Sequence, residues 1–318
     1  MKSPVVRLPV VEWSGLAFAI AFGALALAVS TPAFLTEFNI YVTLRSLCVP
    51  LVVAYAQMIV LGVGEMNLSV GALGGLVAIV FGGMMEVLGM PALVAAPLAL
   101  AVGVLGGWIN GFLTVTTGIS GFIITLATGS AFAGINLGVT KAIPFYHMPP
   151  EVTSFGMARL SVFPYLLAAP VLVSVILAVV FSRTVVGRRM LAVGGNAQAA
   201  ALSGIATKRT IVLAHMISGG LAAGAAILAV AQLGSAQPTI GADWLLISFA
   251  APIIGGASLA GGHVSPAGTL IALLLIALIQ NGIVLVGVDQ YWMQFVLGAL
   301  IVAAVGINRW RAVRVGTN

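Results

Sequence analysis

A chain of 318 residues that is 61% hydrophobic and only 6% charged cannot cover a water-facing surface, because soluble domains carry about a quarter charged residues. Lipid has to solvate it, and its 39 glycines suit close helix approach in a membrane. The single cysteine, Cys48, excludes an internal disulfide and a cysteine metal cluster, and the net charge of +6 must be explained by where the basic residues fall.

A span needs about 20 mostly apolar residues. In chain order that rule predicts ten helices, at about 13–31, 41–62, 69–88, 91–116, 121–140, 163–182, 210–231, 244–260, 266–287 and 291–307. The expected fold is all-α: one polytopic transmembrane domain over residues 1–318 with a short helix on its cytoplasmic side. The first helix follows Lys2 and Arg7 as a secretory signal would, but it exceeds the usual apolar signal region and is expected to be retained. With ten spans, Lys2, Arg7, Arg183, Arg188, Arg189, Lys208, Arg209, Arg309, Arg311 and Arg314 all fall on one side. Arg45, Lys141 and Arg159 fall on the other, with Glu37, Glu86, Glu151, Asp243 and Asp289. The positive-inside rule then puts both termini and residues 183–209 in the cytoplasm, and residues 141–162 outside. The basic charge is thereby read as topology and not as a nucleic-acid surface.

Between the second and third helices runs Gly64-Glu65-Met66-Asn67-Leu68-Ser69-Val70-Gly71. An acid bordered by apolar spans is costly and tends to be functional, so Glu65, Asn67 and Ser69 are candidates for a gate or a ligand path. The same residues also suit an ordinary turn in which Asn67 or Ser69 caps the next helix. Gln57, Asn110, Thr125, Thr128, Asn136, His215, Gln280 and Asn281 are uncharged polar residues inside expected spans. Each must face protein or water, and both a hydroxyl-binding path and plain interhelical hydrogen bonds are open for them. Glycines four apart (Gly71/Gly75, Gly103/Gly107/Gly111 and Gly220/Gly224) mark expected close-packing faces.

The segment Gly187 to Ile205 predicts a short cytoplasmic helix. Gly194 and Gly195 permit an irregular backbone, Asn196 is a good N-cap, Ala197 to Leu202 favour helix, and Gly204 is a natural stop. So short a helix does not persist without a partner. Its small face of Ala199, Ala200 and Ala201 would fit a groove in another protein; the plainer alternative is a loop whose charges set topology. No G-x-x-x-x-G-K-[ST] phosphate loop occurs, no histidines lie at metal-ligand spacing, and no nucleophile–base constellation appears. The chain is expected not to be an enzyme and to bind no cofactor itself.

These motifs resemble those of the permease subunits of bacterial ABC sugar importers of the ribose/xylose/galactose type. Residues Gly64 to Gly71 resemble the signature G-[GE]-I-D-L-S-V-G, with Asn67 where the pattern has aspartate. Residues Gly187 to Ile205 resemble the coupling segment G-R-x-x-x-A-x-G-x-N-x-x-A-A-x-x-S-G-I. Gln237 to Gly241, Gly255 to Gly262, and Gln280-Asn281-Gly282 followed by Tyr291-Trp292 resemble further stretches of those chains, in the same order over about 40–308. The resemblance implies a multi-pass protein of the bacterial inner membrane that takes a pentose, hexose or polyol into the cytoplasm. It implies a second permease copy or paralogue, a periplasmic sugar-binding protein, and cytoplasmic ATP-binding subunits that carry ATP and magnesium. Coupling to those subunits would rest on Gly194, Gly195, Asn196, Ala199, Ala200, Ser203, Gly204 and Ile205. The candidate path and gate are Glu65, Asn67, Ser69, Gln57, Asn110, Thr125, Asn136 and Asn281. Alternatives are a permease of the same fold for an autoinducer, a nucleoside or a branched-chain amino acid, an ion-driven secondary transporter, and a membrane enzyme.

Overall fold

A computed structural model describes residues 10–292 and isolated positions between 294 and 306. Twelve α-helices occur in the described chain: α1 (Val10–Ser30), α2 (Glu37–Gly62), α3 (Val70–Glu86), α4 (Ala92–Thr117), α5 (Gly121–Thr140), α6 (Pro150–Met157), α7 (Ala168–Arg183), α8 (Val185–Gly195), α9 (Ala197–Leu202), α10 (Thr207–Leu233), α11 (Trp244–Ile254) and α12 (Pro266–Leu285). Their ends follow local chemistry. The Thr36 hydroxyl accepts from Asn39 N to open α2, Ser265 does the same for α12 ahead of Pro266, and left-handed Gly118 and Gly234 close α4 and α10.

Six of these helical stretches are long and apolar enough to cross a membrane: α2, α4, α5, the Tyr165–Arg183 stretch that includes α7, α10 and α12. Gly15–Ser30, α3 and α11 are apolar but shorter. Nine of the ten expected helices therefore have a counterpart, but ten full spans are not established. The tenth, 291–307, falls where only isolated positions are described.

Helix α2 is the axis of the molecule. From Leu47 to Gly62 every residue except Pro50 is buried, with α3, α10, α11 and α12 packed around it. Beside it α10 lies against α4, whose Gly103, Gly107 and Gly111 face the α10 backbone at Gly219, His215 and Val212. The close-packing row of α10 is thus Val212, His215 and Gly219, not the expected Gly220 and Gly224. A β-carbon on Gly220 would meet only a Val104 methyl, and one on Gly224 would meet nothing within 4 Å.

The expected helix 244–260 is the largest departure. Helix α11 ends at Ile254, because Pro252 lacks an N–H and Gly256 adopts a φ of +96°. Ahead of α11, residues 235–243 are not helical. They run along α3, with Ala236 against Gly82, Ile240 against Gly75 and Gly241 against Gly71, and the Trp244 ring then covers Gly74. Non-helical backbone packed among apolar helices must be satisfied by protein or water. Ala236 exchanges both backbone hydrogen bonds with Phe145, Asn136 Nδ2 donates to Pro238 O at 2.9 Å, and three turns link Gln237 to Ile240, Thr239 to Ala242 and Gly241 to Trp244.

The 141–162 loop is ordered, as its prolines and aromatics suggest. It holds α6 and leads into a hairpin of β1 (Arg159–Leu160) and β2 (Phe163–Pro164). Glu86, at the end of α3, accepts from His147 N at 2.8 Å.

Candidate functional site

The loop between α2 and α3 is bound into its surroundings by a relay of hydrogen bonds. Thr128 of α5 donates to Asn110 Oδ1 of α4 at 2.6 Å. Asn110 Nδ2 donates to Ser69 Oγ at 2.7 Å, Ser69 Oγ donates to Asn67 Oδ1 at 2.7 Å, and Asn67 Nδ2 donates to Ser218 Oγ of α10 at 3.0 Å. Asn67, Ser69, Asn110 and Ser218 are fully buried. Asn67 Oδ1 also accepts from Ser69 N, an Asx turn that starts α3; Ser69, the N-cap residue, makes no side-chain cap bond of its own. Thr125 of α5 accepts from Leu68 N at 2.9 Å.

Glu65 lies at the rim of this junction. Its Oε2 accepts from Gly121 N at 2.7 Å, so it supplies the cap that Ser120 does not give α5 and sets a carboxylate on that helix's positive end. Burial pushes the Glu65 carboxyl above its ordinary value, and the Gly121 N–H opposes that shift.

Five path candidates, Glu65, Asn67, Ser69, Asn110 and Thr125, are thus brought together, chiefly bonded to one another and to backbone. The other three are scattered. Asn136 holds Pro238, leaving its own Oδ1 without a partner. Asn281 of α12 pairs reciprocally with Asn39 of α2 at 2.7 and 3.1 Å. Gln57 is fully buried in α2, and neither of its amide atoms has a partner. Ser218 was missed, because a serine within an alanine- and glycine-rich helix carries no signal of its own. In the sequence Asp243 falls with the charges of the outer side, ahead of the expected helix 244–260. The Gln237-Pro238-Thr239-Ile240-Gly241 stretch before it was the available sign that no straight helix leads into α11.

The 183–209 segment is more regular than its sequence suggests. Gly194 and Gly195 end the 11-residue helix α8 and do not form an irregular hinge. Glycine is needed there because three backbones meet. A β-carbon on Gly194 would strike Gly62 O and Gly262 N, and one on Gly261 would press on Gly64. Asn196 caps α9, accepting from Ala199 N at 2.9 Å; Ser203 Oγ donates back to Ala199 O; Gly204 stops the helix at a φ of +80°. Ala200 turns inward and is buried, and its carbonyl accepts from Ile205 N. The exposed residues of α9 are therefore Ala197, Gln198, Ala199, Ala201 and Leu202, and Leu202 is 91% exposed.

Among the described residues no three His, Cys, Asp or Glu side chains gather. The arrangement binds helix ends together and leaves the small helix α9 largely exposed.

A family model described as branched-chain amino acid transport system / permease component matches residues 30–305. The chain is 35% identical over 284 residues to the ribose import permease protein of Bacillus subtilis, covering 89% of this chain and 88% of that one. It is 34% identical to the D-allose transport system permease protein of Escherichia coli, covering 91% and 87%. It is also 34% identical to an autoinducer 2 import system permease protein of Photorhabdus laumondii, covering 81% and 79%. No solved structure matches the chain.

Proposed function

The chain belongs to the branched-chain amino acid transport system / permease component family, and on that premise we propose that it is the membrane subunit of an ATP-driven importer of a simple sugar or related polyol. The observation that carries this reading is the near full-length likeness to permeases of ribose and D-allose transport. Autoinducer 2 is the second reading of the cargo, favoured by a relative of equal identity over a shorter stretch.

The chain sits in a bacterial inner membrane with both termini in the cytoplasm; the one-sided distribution of its basic residues supports this. It works with a second permease copy or paralogue, a periplasmic binding protein and cytoplasmic ATP-binding subunits. ATP and magnesium act on those subunits. Helix α9 is the docking element. Leu202 is its anchor, since an apolar side chain 91% exposed on a capped six-residue helix gains most from burial in a groove. Motion of α9 passes to α8, and through the glycine contact at Gly194 to Gly62 and Gly262. From there it reaches the loop where Glu65 and Asn67 hold α5 and α10. That is a rigid-body route, fitted to a two-state transporter.

Two measurements test this. Labelled ribose, D-allose and autoinducer 2 are offered to cells with and without the chain, each with the partner ATPase intact or inactivated. Uptake should require both proteins; uptake that ignores the ATPase and follows a proton or sodium gradient would overturn the reading. Leu202→Asp should leave the yield of folded permease unchanged and lower copurification of the ATPase at least tenfold. Ser154→Asp on the outer loop should do neither. Full copurification by the Leu202 variant would remove α9 as the docking element.

A further inference from the structure

Asp243 stands at membrane depth with its carboxylate open. Gly241 and Trp244 on either side of it pack on Gly71 and Gly74, at the start of α3. That lies about 22 Å below Glu86 at the outer end of the helix, from the rise of about 1.5 Å per residue. On the inner side, Ser69 bonds Asn110, which sits seven residues before Thr117, about 10 Å from the inner end of α4. Asp243 therefore falls within a hydrocarbon layer about 30 Å thick. Its side chain is exposed and makes no cap hydrogen bond to α11, and among the described residues it has no ion pair.

A bare carboxylate at that depth is not stable against lipid; it faces water or a polar partner. Its neighbours are arranged to match. Thr239 and Ala242 are exposed with it, while Ile240, Gly241 and Trp244 turn inward to α3. One side of the segment is sealed against protein, and the open side carries the Thr239 hydroxyl and the Asp243 carboxylate, ahead of exposed Leu245 and Leu246 at the start of α11. The stretch is a run of turns and not a helix, so its backbone polar atoms are not all returned to one helical ladder and suit a watered surface.

We propose that the open face of Thr239, Ala242 and Asp243 lines a water-filled passage through the protein, and that the Asp243 carboxylate accepts hydrogen bonds from the hydroxyls of the cargo as it passes. The identity of the cargo as a polyhydroxylated molecule rests on the reading given above; the water-filled passage does not. A carboxylate accepts from two adjacent hydroxyls at once, so it suits a vicinal diol and does little for an apolar cargo.

The test uses the full chain in membranes with Cys48→Ala. Single cysteines replace Thr239, Ala242, Asp243 and, as a lipid-facing control, Val175, which is 57% exposed in the middle of α7. The probe is a positively charged, hydrophilic methanethiosulfonate, which reacts with thiolate formed in water. Positions 239, 242 and 243 should react at least tenfold faster than 175. Equal rates at all four would overturn the passage. A spontaneous disulfide between copies at 242, in place of reagent labelling, would overturn it too by marking a dry contact. Asp243→Asn, with Ala242→Cys still reactive, should cut uptake of the transported sugar at least threefold; unchanged uptake would remove Asp243 from contact with the cargo. Reactive cysteines with no uptake of any sugar would leave the passage standing and sink the sugar reading instead.

Discussion

Two polar regions meet α3, and they are built in opposite ways. At its start, Asn67, Ser69, Asn110, Thr128 and Ser218 form a closed relay, each side chain serving the next. Along its glycine face, the 235–243 segment is held by backbone bonds and by Asn136, and it leaves Thr239 and Asp243 open. Buried polar groups with all partners present join helices. Polar groups without partners at the same depth imply water. Five residues that the sequence offers as a path are thus bonded to one another and to backbone, while the open groups lie on a segment that the sequence places in a turn.

The largest expected effect comes from forcing these two regions apart. In Gly71→Val a β-carbon would occupy the place of Gly241 O, and both partners are backbone. Overpacking of that kind costs about 3 kcal/mol or more where neither side can yield. Folded, monodisperse protein in detergent should be largely lost. Gly134→Val is the control, because a β-carbon there meets nothing within 4 Å. A Gly71→Val protein that melts within a few degrees of the parent would show that the segment does not depend on its seat in α3.

A smaller effect separates the closed relay from the open face. Asn67→Leu strands Ser69 and Ser218 in a buried site, at about 1–3 kcal/mol for the unsatisfied groups. Asn67→Asp should be tolerated within about 1 kcal/mol. Its oxygens can accept from Ser69 N, Ser69 Oγ and the Ser218 hydroxyl, which then reverses its role as acceptor. Thr239→Val, on the open face, should move stability by less than about 0.5 kcal/mol. Thermal unfolding of the three variants in one detergent checks the order. Equal losses for Asn67→Leu and Thr239→Val would erase the distinction.

Most helix positions were legible because apolar length is a strong signal. The α5 bounds of 121 and 140 match the expectation, and α2, α4, α10 and α12 agree to within a few residues at each end. The eighth passage was not legible as built. Hydropathy counts apolar residues and does not register that Pro238, Gly241 and Pro252 divide this part of the chain into a non-helical half and a helical half. The short helix α9 is visible in the sequence from Asn196 and Gly204, but which alanine turns inward is not. Burial of Ala200 depends on where α8 ends, and that is set by Gly194 meeting Gly62 and Gly262, far apart in the chain. The close-packing row of α10 was misplaced by one residue for a similar reason. Glycine spacing indicates that a face exists, while the crossing with α4 selects Gly219 over Gly220.

The smallest effect concerns Glu65, which belongs to the closed region but touches its rim. Burial raises its folded carboxyl above the ordinary value of 4.5. The folded state then keeps a proton that the unfolded chain has already released. Stability from this group is fullest below the unfolded value and declines as pH rises through the raised folded value. Glu65→Gln keeps an oxygen to accept from Gly121 N and cannot titrate, so its unfolding profile should lack the decline that the parent shows above about pH 4.5. Glu65→Ala also removes titration, but it strips the cap from α5 and should lose about 1 kcal/mol at every pH. If Gln and Ala behave alike, the bond to Gly121 contributes nothing to holding α5, and the rim of the junction is as open as the 235–243 segment. If Gln retains the parent's pH slope, the slope arises from another group and Glu65 is ionised without penalty at the membrane edge.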